Sequence, residues 1–257
     1  MIISQFEKDA ILVSVLVLLF IIECLFPYFD TFKNKTRHTF RNVGLIALNA
    51  LVVNVTLAPL VILSMDTSWG VFNRWDLNGW IELGLTVLLV DFLTYVLHVL
   101  YHKVPFMWRF HRVHHSDVAM GVTTGARFHI GEHVISTLIK CGLYACFAIK
   151  LEYLILYEAI FISNVFFHHA NISIGEPLDR IYRILFTSPN MHKVHHSDIK
   201  NETDSNYTSL FSFWDRMFGT FRIVDDPERI VFGIKGLEEE QSVRRMLTTP
   251  FRDIETK

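Results

Sequence analysis

A seven-residue string rich in histidine is written twice in this chain. The first copy, His-Arg-Val-His-His-Ser-Asp, covers residues 111–117, and the second, His-Lys-Val-His-His-Ser-Asp, covers residues 192–198. Neutral imidazole is a common ligand for iron, copper and zinc. The two near-identical clusters therefore predict that both copies take part in one metal centre.

Helical spacing directs the histidines of each motif to one side. His98 and His102 are four residues apart, and the histidines of each repeated string have spacing 0, 3 and 4. Residues three and four apart share a face of an α-helix, so each group directs its imidazoles at a common volume. The candidate ligands in these motifs are His98, His102, His111, His114, His115, His192, His195 and His196.

The pair His168–His169, in Phe-Phe-His-His-Ala-Asn, supplies a ninth or tenth imidazole. One zinc or iron ion takes only about four to six ligands, so this many histidines favour two metal ions. A ligand set made only of imidazole suits a redox metal that binds oxygen, whereas structural zinc sites are usually richer in cysteine. The spacing alone does not exclude zinc.

The composition indicates an integral membrane protein. Of the 257 residues 51% are hydrophobic and only 19% are charged, against about a quarter in soluble domains. Mean hydropathy is +0.32. A net charge of −2 without a basic block argues against nucleic acid as a partner. Cys24, Cys141 and Cys146 form no Cys-x-x-Cys, which argues against a disulfide scaffold or a thiolate metal site.

Apolar blocks near the length that crosses a bilayer, about 20 residues when helical, recur along the chain. They predict an all-α integral membrane fold with about four transmembrane or hairpin helices. Three spans are predicted first, and two shorter stretches after them form a helical hairpin. The segments are Ala10–Tyr28, Val43–Met65 and Trp80–His102 for the spans, and His133–Ile149 and Leu151–Phe167 for the hairpin.

The orientation follows from a basic cluster between the first two spans, made of Lys33, Lys35, Arg37 and Arg41. By the positive-inside rule this loop lies in the cytoplasm, so the third span ends with the first histidine motif on the cytoplasmic face. His38, in the same loop, is expected to be solvated.

The polar region from Gly175 onward is expected to form a helical cytoplasmic cap over the histidine site. We predict one domain over residues 1–257. It comprises N-terminal transmembrane helices (1–79), a histidine-motif core (80–221) and a cytoplasmic tail (222–257).

These motifs, in this order and among apolar segments, resemble the fatty acid hydroxylase and sterol desaturase superfamily. The resemblance runs from about Trp80 to Phe221 and includes Phe167-His-His-Ala-Asn171 and Phe213-Trp-Asp-Arg-Met-Phe-Gly-Thr220. It implies a membrane-bound enzyme with two non-heme iron ions. Such an enzyme uses O2 to hydroxylate or desaturate a lipid hydrocarbon, and the sequence does not decide between the two reactions or among sterol, fatty acyl and related lipids.

Carried over by position, the resemblance implies that the eight motif histidines bind iron. His169, which precedes a small residue and asparagine, is favoured as the ninth ligand, with His168 as the alternative. Arg127-Phe-His-Ile-Gly-Glu132 resembles a family segment that usually has proline where Ile130 stands, so His129 is a weaker candidate.

The partners predicted are the bilayer, a lipid substrate and a separate electron-donor protein. The donor is inferred because the chain has no heme domain, flavin fingerprint or ferredoxin cysteine pattern. Two alternative functions are weighed. A metal transporter is disfavoured because the histidines gather at one surface rather than at the bilayer midplane. A zinc-dependent hydrolase is disfavoured because no His-Glu-x-x-His motif is present.

Several other residues carry weaker expectations. Asp117 and Asp198, which end the two strings, either cap a following helix or orient a ligand imidazole. His133 is expected at the membrane interface or behind the ligands. The basic residues near the motifs are expected to meet phosphate headgroups or an acidic redox partner, or to be solvated; they are Arg109, Arg112, Arg183 and Lys193.

Overall fold

The computed structural model describes residues 3–30, 34–75 and 77–254, so Lys33 of the basic cluster lies outside it. The described backbone is helical, with no β-strand, which confirms the all-α prediction. The α-helices are α1 Gln5–Leu25, α2 Lys35–Val52, α3 Ala58–Met65, α4 Val71–Arg74, α5 Gly79–Lys103, α6 Pro105–His115, α7 Ile130–Phe147, α8 Leu151–His169, α9 Glu176–Tyr182, α10 Pro189–His195, α11 Lys200–Thr203, α12 Phe213–Met217 and α13 Val243–Thr248.

Among the described residues, three helical segments are long and apolar enough to cross a membrane. They are Lys35–Met65, α5 and α8. The first is continuous because a π-helical turn over Val53–Leu57 joins α2 to α3. Helix α1 was predicted to span but is not among the three. It carries charged side chains at Lys8, Asp9 and Glu23, which make crossing costly.

The predicted helical hairpin is present as α7 and α8. The turn between them uses Ala148 in the left-handed conformation, with φ at 55°. Lys150 then pairs with Glu82 of α5 at 2.5 Å, which fixes the tip of the hairpin against that span. Helix α8 consequently delivers His168 and His169 back to the end where α5 places His98.

Helix α1 is fastened to the histidine region through a buried carboxylate. Oε2 of Glu23 accepts hydrogen bonds from the backbone N–H groups of Val122, at 2.8 Å, and Asn171, at 3.0 Å. Asn171 lies two residues after His169. The acidic group inside an apolar helix is therefore compensated, and it joins two loops that flank the histidine motifs.

His38 is not solvated, contrary to the prediction. Helix α2 begins at Lys35, eight residues before the apolar block, so its first turns carry polar side chains into the protein. His38 is 3% exposed, and its Nε2 lies 2.7 Å from Oδ1 of Asp117. Asn42, one turn later, donates to the other carboxylate oxygen at 3.3 Å.

Asp117 is the centre of this polar cluster. It also accepts from the Thr124 hydroxyl at 2.7 Å and pairs with the buried guanidinium of Arg127 at 3.4 Å. Its side chain thus joins α2 to the segment after the first histidine string, and among the described residues it makes no hydrogen bond to the ring of a candidate ligand. Asp198, its counterpart in the second string, is exposed.

We expect Asp117→Asn to destabilise the fold by about 3–5 kcal/mol, because the buried Arg127 guanidinium would lose its counter-charge. Asp198→Asn is the matched control, since it makes the same change at the same motif position on the surface. It should alter stability by less than about 0.5 kcal/mol. Thermal unfolding of both purified variants measures the difference, and equal midpoints would refute this role for Asp117.

Three of the four basic residues near the motifs, Arg112, Arg183 and Lys193, are buried in internal contacts rather than facing phosphate groups or solvent. Arg112 donates to the carbonyls of Thr249 and Arg252 at 2.6 and 2.7 Å, which packs residues after 222 against α6. Lys193 donates to the carbonyl of Ile172 at 2.5 Å, and burial lowers its pKa to about 7. Arg183 and Arg109 are held by acidic side chains, namely Glu176 and Asp179 for Arg183 and Asp253 for Arg109.

Candidate metal centre

Nine histidines converge in two adjacent clusters at the ends of α5 and α8. One ring nitrogen from each member of a cluster lies within 4.8 Å of those of the other members. The side chains come from α5, α6, α8 and α10 and the residue after α10. The first cluster is His98, His102, His111, His115 and His195, and the second is His114, His169, His192 and His196.

Each repeated string contributes to both clusters. In α6 the i, i+4 pair His111 and His115 enters the first cluster, while His114 faces the second. In the second string the assignment is reversed, because the i, i+4 pair His192 and His196 enters the second cluster and His195 the first. This exchange places the two clusters side by side, with the His115 and His196 rings stacked at 4.5 Å between centroids.

The rings of the first cluster are oriented by acceptors behind them. Nδ1 of His98 donates to the carbonyl of Tyr207, and Nδ1 of His195 donates to the carbonyl of Ser205, both at 2.6 Å. Nδ1 of His111 lies 2.9 Å from a carboxylate oxygen of Glu132. Such contacts fix the tautomer, so that Nε2 carries the lone pair.

The same geometry sets lone pairs against each other. Since a carbonyl only accepts, His98 and His195 are both protonated on Nδ1, yet their Nε2 atoms are 3.0 Å apart. Two acceptors at this distance repel each other unless a cation lies between them. In the second cluster, Nδ1 of His169 donates to the carbonyl of Val165, so its Nε2 also carries a lone pair, 3.0 Å from Nε2 of His192.

A metal ion fits this arrangement. Two nitrogens each ~2.1 Å from one ion, at angles near 90–100°, lie ~3.0–3.2 Å apart. Six Nε2–Nε2 pairs, four in the first cluster and two in the second, are 3.0–3.2 Å apart. The set contains only imidazoles, and the first cluster has one more candidate ligand than the second.

The ligand set is buried and uncharged. His98 is 9% exposed and the other eight histidines are at most 2% exposed. Burial, and secondarily repulsion among neighbouring imidazoles, holds the pKa of the motif histidines outside the spans well below the usual range. These are His114, His115, His192, His195 and His196. Neutral imidazole is the form that binds metal.

Aromatic rings enclose the centre. The Phe128 ring stacks on His114 at 4.4 Å, and Trp108 lies 5.1 Å from His102. Tyr207, 1% exposed, covers the first cluster with its ring 5.1 Å from His102. These side chains exclude water from the clusters on several sides.

The remaining candidate histidines lie outside both clusters. His168 is fully buried beside His192, but its Nδ1 faces the Asn164 side-chain amide and its Nε2 has no hydrogen-bond partner among the described residues. His129 begins α7 by accepting from the N–H of Gly131, so its position reflects helix capping. His133 packs edge-on against Phe128 and so lies behind His114.

The groups that orient the ligand imidazoles were not predicted from the sequence. Glu132 stands in the segment compared with the family, but its contact with His111 requires α7 to cross α6 closely. The carbonyls of Ser205 and Tyr207 have no sequence signal, because every residue carries a carbonyl group.

We expect Glu132→Gln to weaken metal binding at the first cluster by about 10–100-fold, because the carboxyl group that orients His111 would be replaced while the shape is kept. Competition with a chromogenic chelator measures the affinity. Glu228→Gln makes the same change on the surface of the cap and should have no effect. Unchanged affinity in Glu132→Gln would contradict the assigned role.

Together, the spans and the paired histidine clusters define an all-helical membrane protein with a candidate dimetal centre. The chain belongs to the fatty acid hydroxylase family, whose sequence model matches residues 83–220. All nine clustered histidines lie in that range. Helices α1 and α2, which contact the loops beside the histidine motifs, precede it.

Several curated proteins are similar to the chain. An ornithine lipid hydroxylase from Rhizobium tropici is 26% identical over 89% of this chain and 71% of its own length. An alkylglycerol monooxygenase from Xenopus tropicalis is 32% identical over 58% of this chain, but over only 32% of its own length. Human cholesterol 25-hydroxylase is 24% identical over 56% of this chain and 52% of its own length. No solved structure matches the chain significantly.

Proposed function

We propose that the two clusters bind two iron ions and that the protein uses O2 to hydroxylate a lipid hydrocarbon in the membrane. The observation that carries this proposal is the contact of His98 and His195, whose Nε2 lone pairs face each other at 3.0 Å among nine converging histidines. The names of the relatives, which describe hydroxylases or a monooxygenase acting on lipids or a sterol, favour hydroxylation over desaturation.

The bound iron pair would supply the oxidising power needed to break an unactivated C–H bond. The protein's part is placement. His98, His102, His111, His115 and His195 would hold one ion and His114, His169, His192 and His196 the other. Glu132 and the two backbone carbonyls keep the rings of the first cluster in the binding tautomer, while Trp108, Phe128 and Tyr207 keep water out.

A row of aromatic contacts supports a lipid substrate. Phe218 is 53% exposed and stacks on Tyr95 of α5 at 5.5 Å between centroids. Tyr95 meets Tyr207 at 6.5 Å, and Tyr207 meets His98 at 5.7 Å. In the proposed enzyme this row guides an apolar chain from the surface of the protein to the first cluster.

The reaction needs electrons from outside the chain. A C–H bond, O2, two protons and two electrons give C–OH and water, and the sequence shows no flavin fingerprint or heme-binding motif that would supply the electrons. We propose a separate reductase or small electron carrier, which docks on the cytoplasmic face with the histidine motifs.

The test is turnover under 18O2. Protein reconstituted with iron, an electron-transfer system and lipid extract should incorporate one 18O atom into a lipid, and His195→Ala protein should not. Lipid profiles of cells expressing each form would identify the substrate. Turnover without oxygen would favour a hydrolase, and turnover with reduced nicotinamide and this protein alone would refute the separate donor.

A further inference from the structure

An apolar surface on α9 lies outside the histidine centre. Leu178 and Ile181 of α9 are 64% and 67% exposed, and Ile184 and Leu185, just beyond the helix, are 67% and 46% exposed. We call these four side chains the α9 face. A cluster of large aliphatic side chains on a polar cap is unusual for a surface that meets only water.

The opposite side of α9 is anchored. Asp179 is fully buried and accepts from the Arg183 guanidinium at 2.5 Å, and Arg183 also pairs with Glu176 at 2.7 Å. The guanidinium of Arg216 and the hydroxyl of Ser212 both donate to the carbonyl of Arg183. The helix is therefore held with its polar side inward and the α9 face outward.

The surroundings of α9 place it at the level where a membrane would end. Helix α9 begins seven residues after the last residue of α8, one of the candidate spans, and Tyr182 contacts Phe167 in the last turn of that span at 5.2 Å. Tyrosine is one of the two residue types that are enriched at the membrane–water interface.

We propose that α9 lies in the plane of the interface, with the α9 face inserted into the lipid leaflet on the side of the histidine centre. A helix with one apolar face and a polar, charged side binds lipid in this way. Arg180, whose side chain is 73% exposed, supplies a cation for phosphate headgroups.

Depth-dependent fluorescence quenching tests the proposal without relying on activity. In a chain with Cys24, Cys141 and Cys146 replaced by alanine, Ile181→Cys is labelled with a fluorophore. The protein is placed in phosphatidylcholine–phosphatidylglycerol nanodiscs that contain lipid with a nitroxide near the headgroup. We expect quenching about twofold or more above that of a label at Glu228→Cys, which lies on the charged surface of the cap.

Leu88→Cys, in the middle of span α5, is the control for depth, since a nitroxide on the acyl chain should quench this label more than the headgroup nitroxide does. Ile184→Cys repeats the measurement should Ile181→Cys fail to fold. Quenching of both α9 labels no greater than that at Glu228 would overturn the proposal. The proposal would also be overturned if the labels were shielded from the nitroxide because the α9 face packs against a second copy of the chain. Neither outcome depends on metal or turnover, so the proposed enzymatic function would be unaffected.

Discussion

His195→Ala is expected to abolish turnover and to empty the first metal site. The substitution removes one of five converging ligands, whose Nε2 lies 3.0 Å from that of His98. Loss of a residue that only orients a ligand typically costs 10–100-fold in metal affinity or activity, so loss of the ligand itself should exceed about 100-fold. Iron content and 18O incorporation, measured on the same preparation, give both effects.

His129→Ala is the matched control for this prediction. His129 is also buried, but it lies outside the clusters and caps α7. Its replacement should leave the iron content unchanged and cost about 1 kcal/mol of stability through the lost cap. Full iron content and normal turnover in His195→Ala would contradict the assignment, as would loss of iron in His129→Ala.

Removing the metal should destabilise the protein by a large amount. Without a cation, the Nε2 lone pairs of His98 and His195 face each other at 3.0 Å. A ligand present at about 1,000 times its Kd stabilises the folded state by about 4 kcal/mol per site. A chelator should therefore lower the unfolding temperature markedly, and added Fe(II) should restore it under anaerobic conditions.

The double variant His114→Ala with His195→Ala is the control for metal removal, because it lacks a ligand in each cluster. Chelator should shift its unfolding temperature little. An identical unfolding temperature for the wild-type protein with and without chelator would argue that neither cluster holds a structural cation.

Much of the fold and of the cluster membership could be predicted from the sequence, for identifiable reasons. The apolar blocks place α5 and α8 within a few residues of their observed bounds. The bounds of a membrane-spanning helix follow from the length of its apolar run, which can be read directly from the sequence. The spacing of the histidines, with the family resemblance, selects the nine side chains that converge.

Other features depend on which elements pack together. Asp117 and Asp198 end identical motifs, yet α2 covers only the first, so one is a buried network centre and the other is exposed. His38 was misplaced because α2 starts in the polar segment before the apolar block. The division of each string between two clusters likewise depends on how α6 and α10 face each other, which spacing does not encode.

The most direct test of the central claim is the number of iron ions bound per chain. Protein purified from iron-replete cells should contain two iron ions, with one lost from either His114→Ala or His195→Ala. A metal analysis that finds no iron in the wild-type protein, or the same iron content in wild type and both variants, would contradict the proposed dimetal centre.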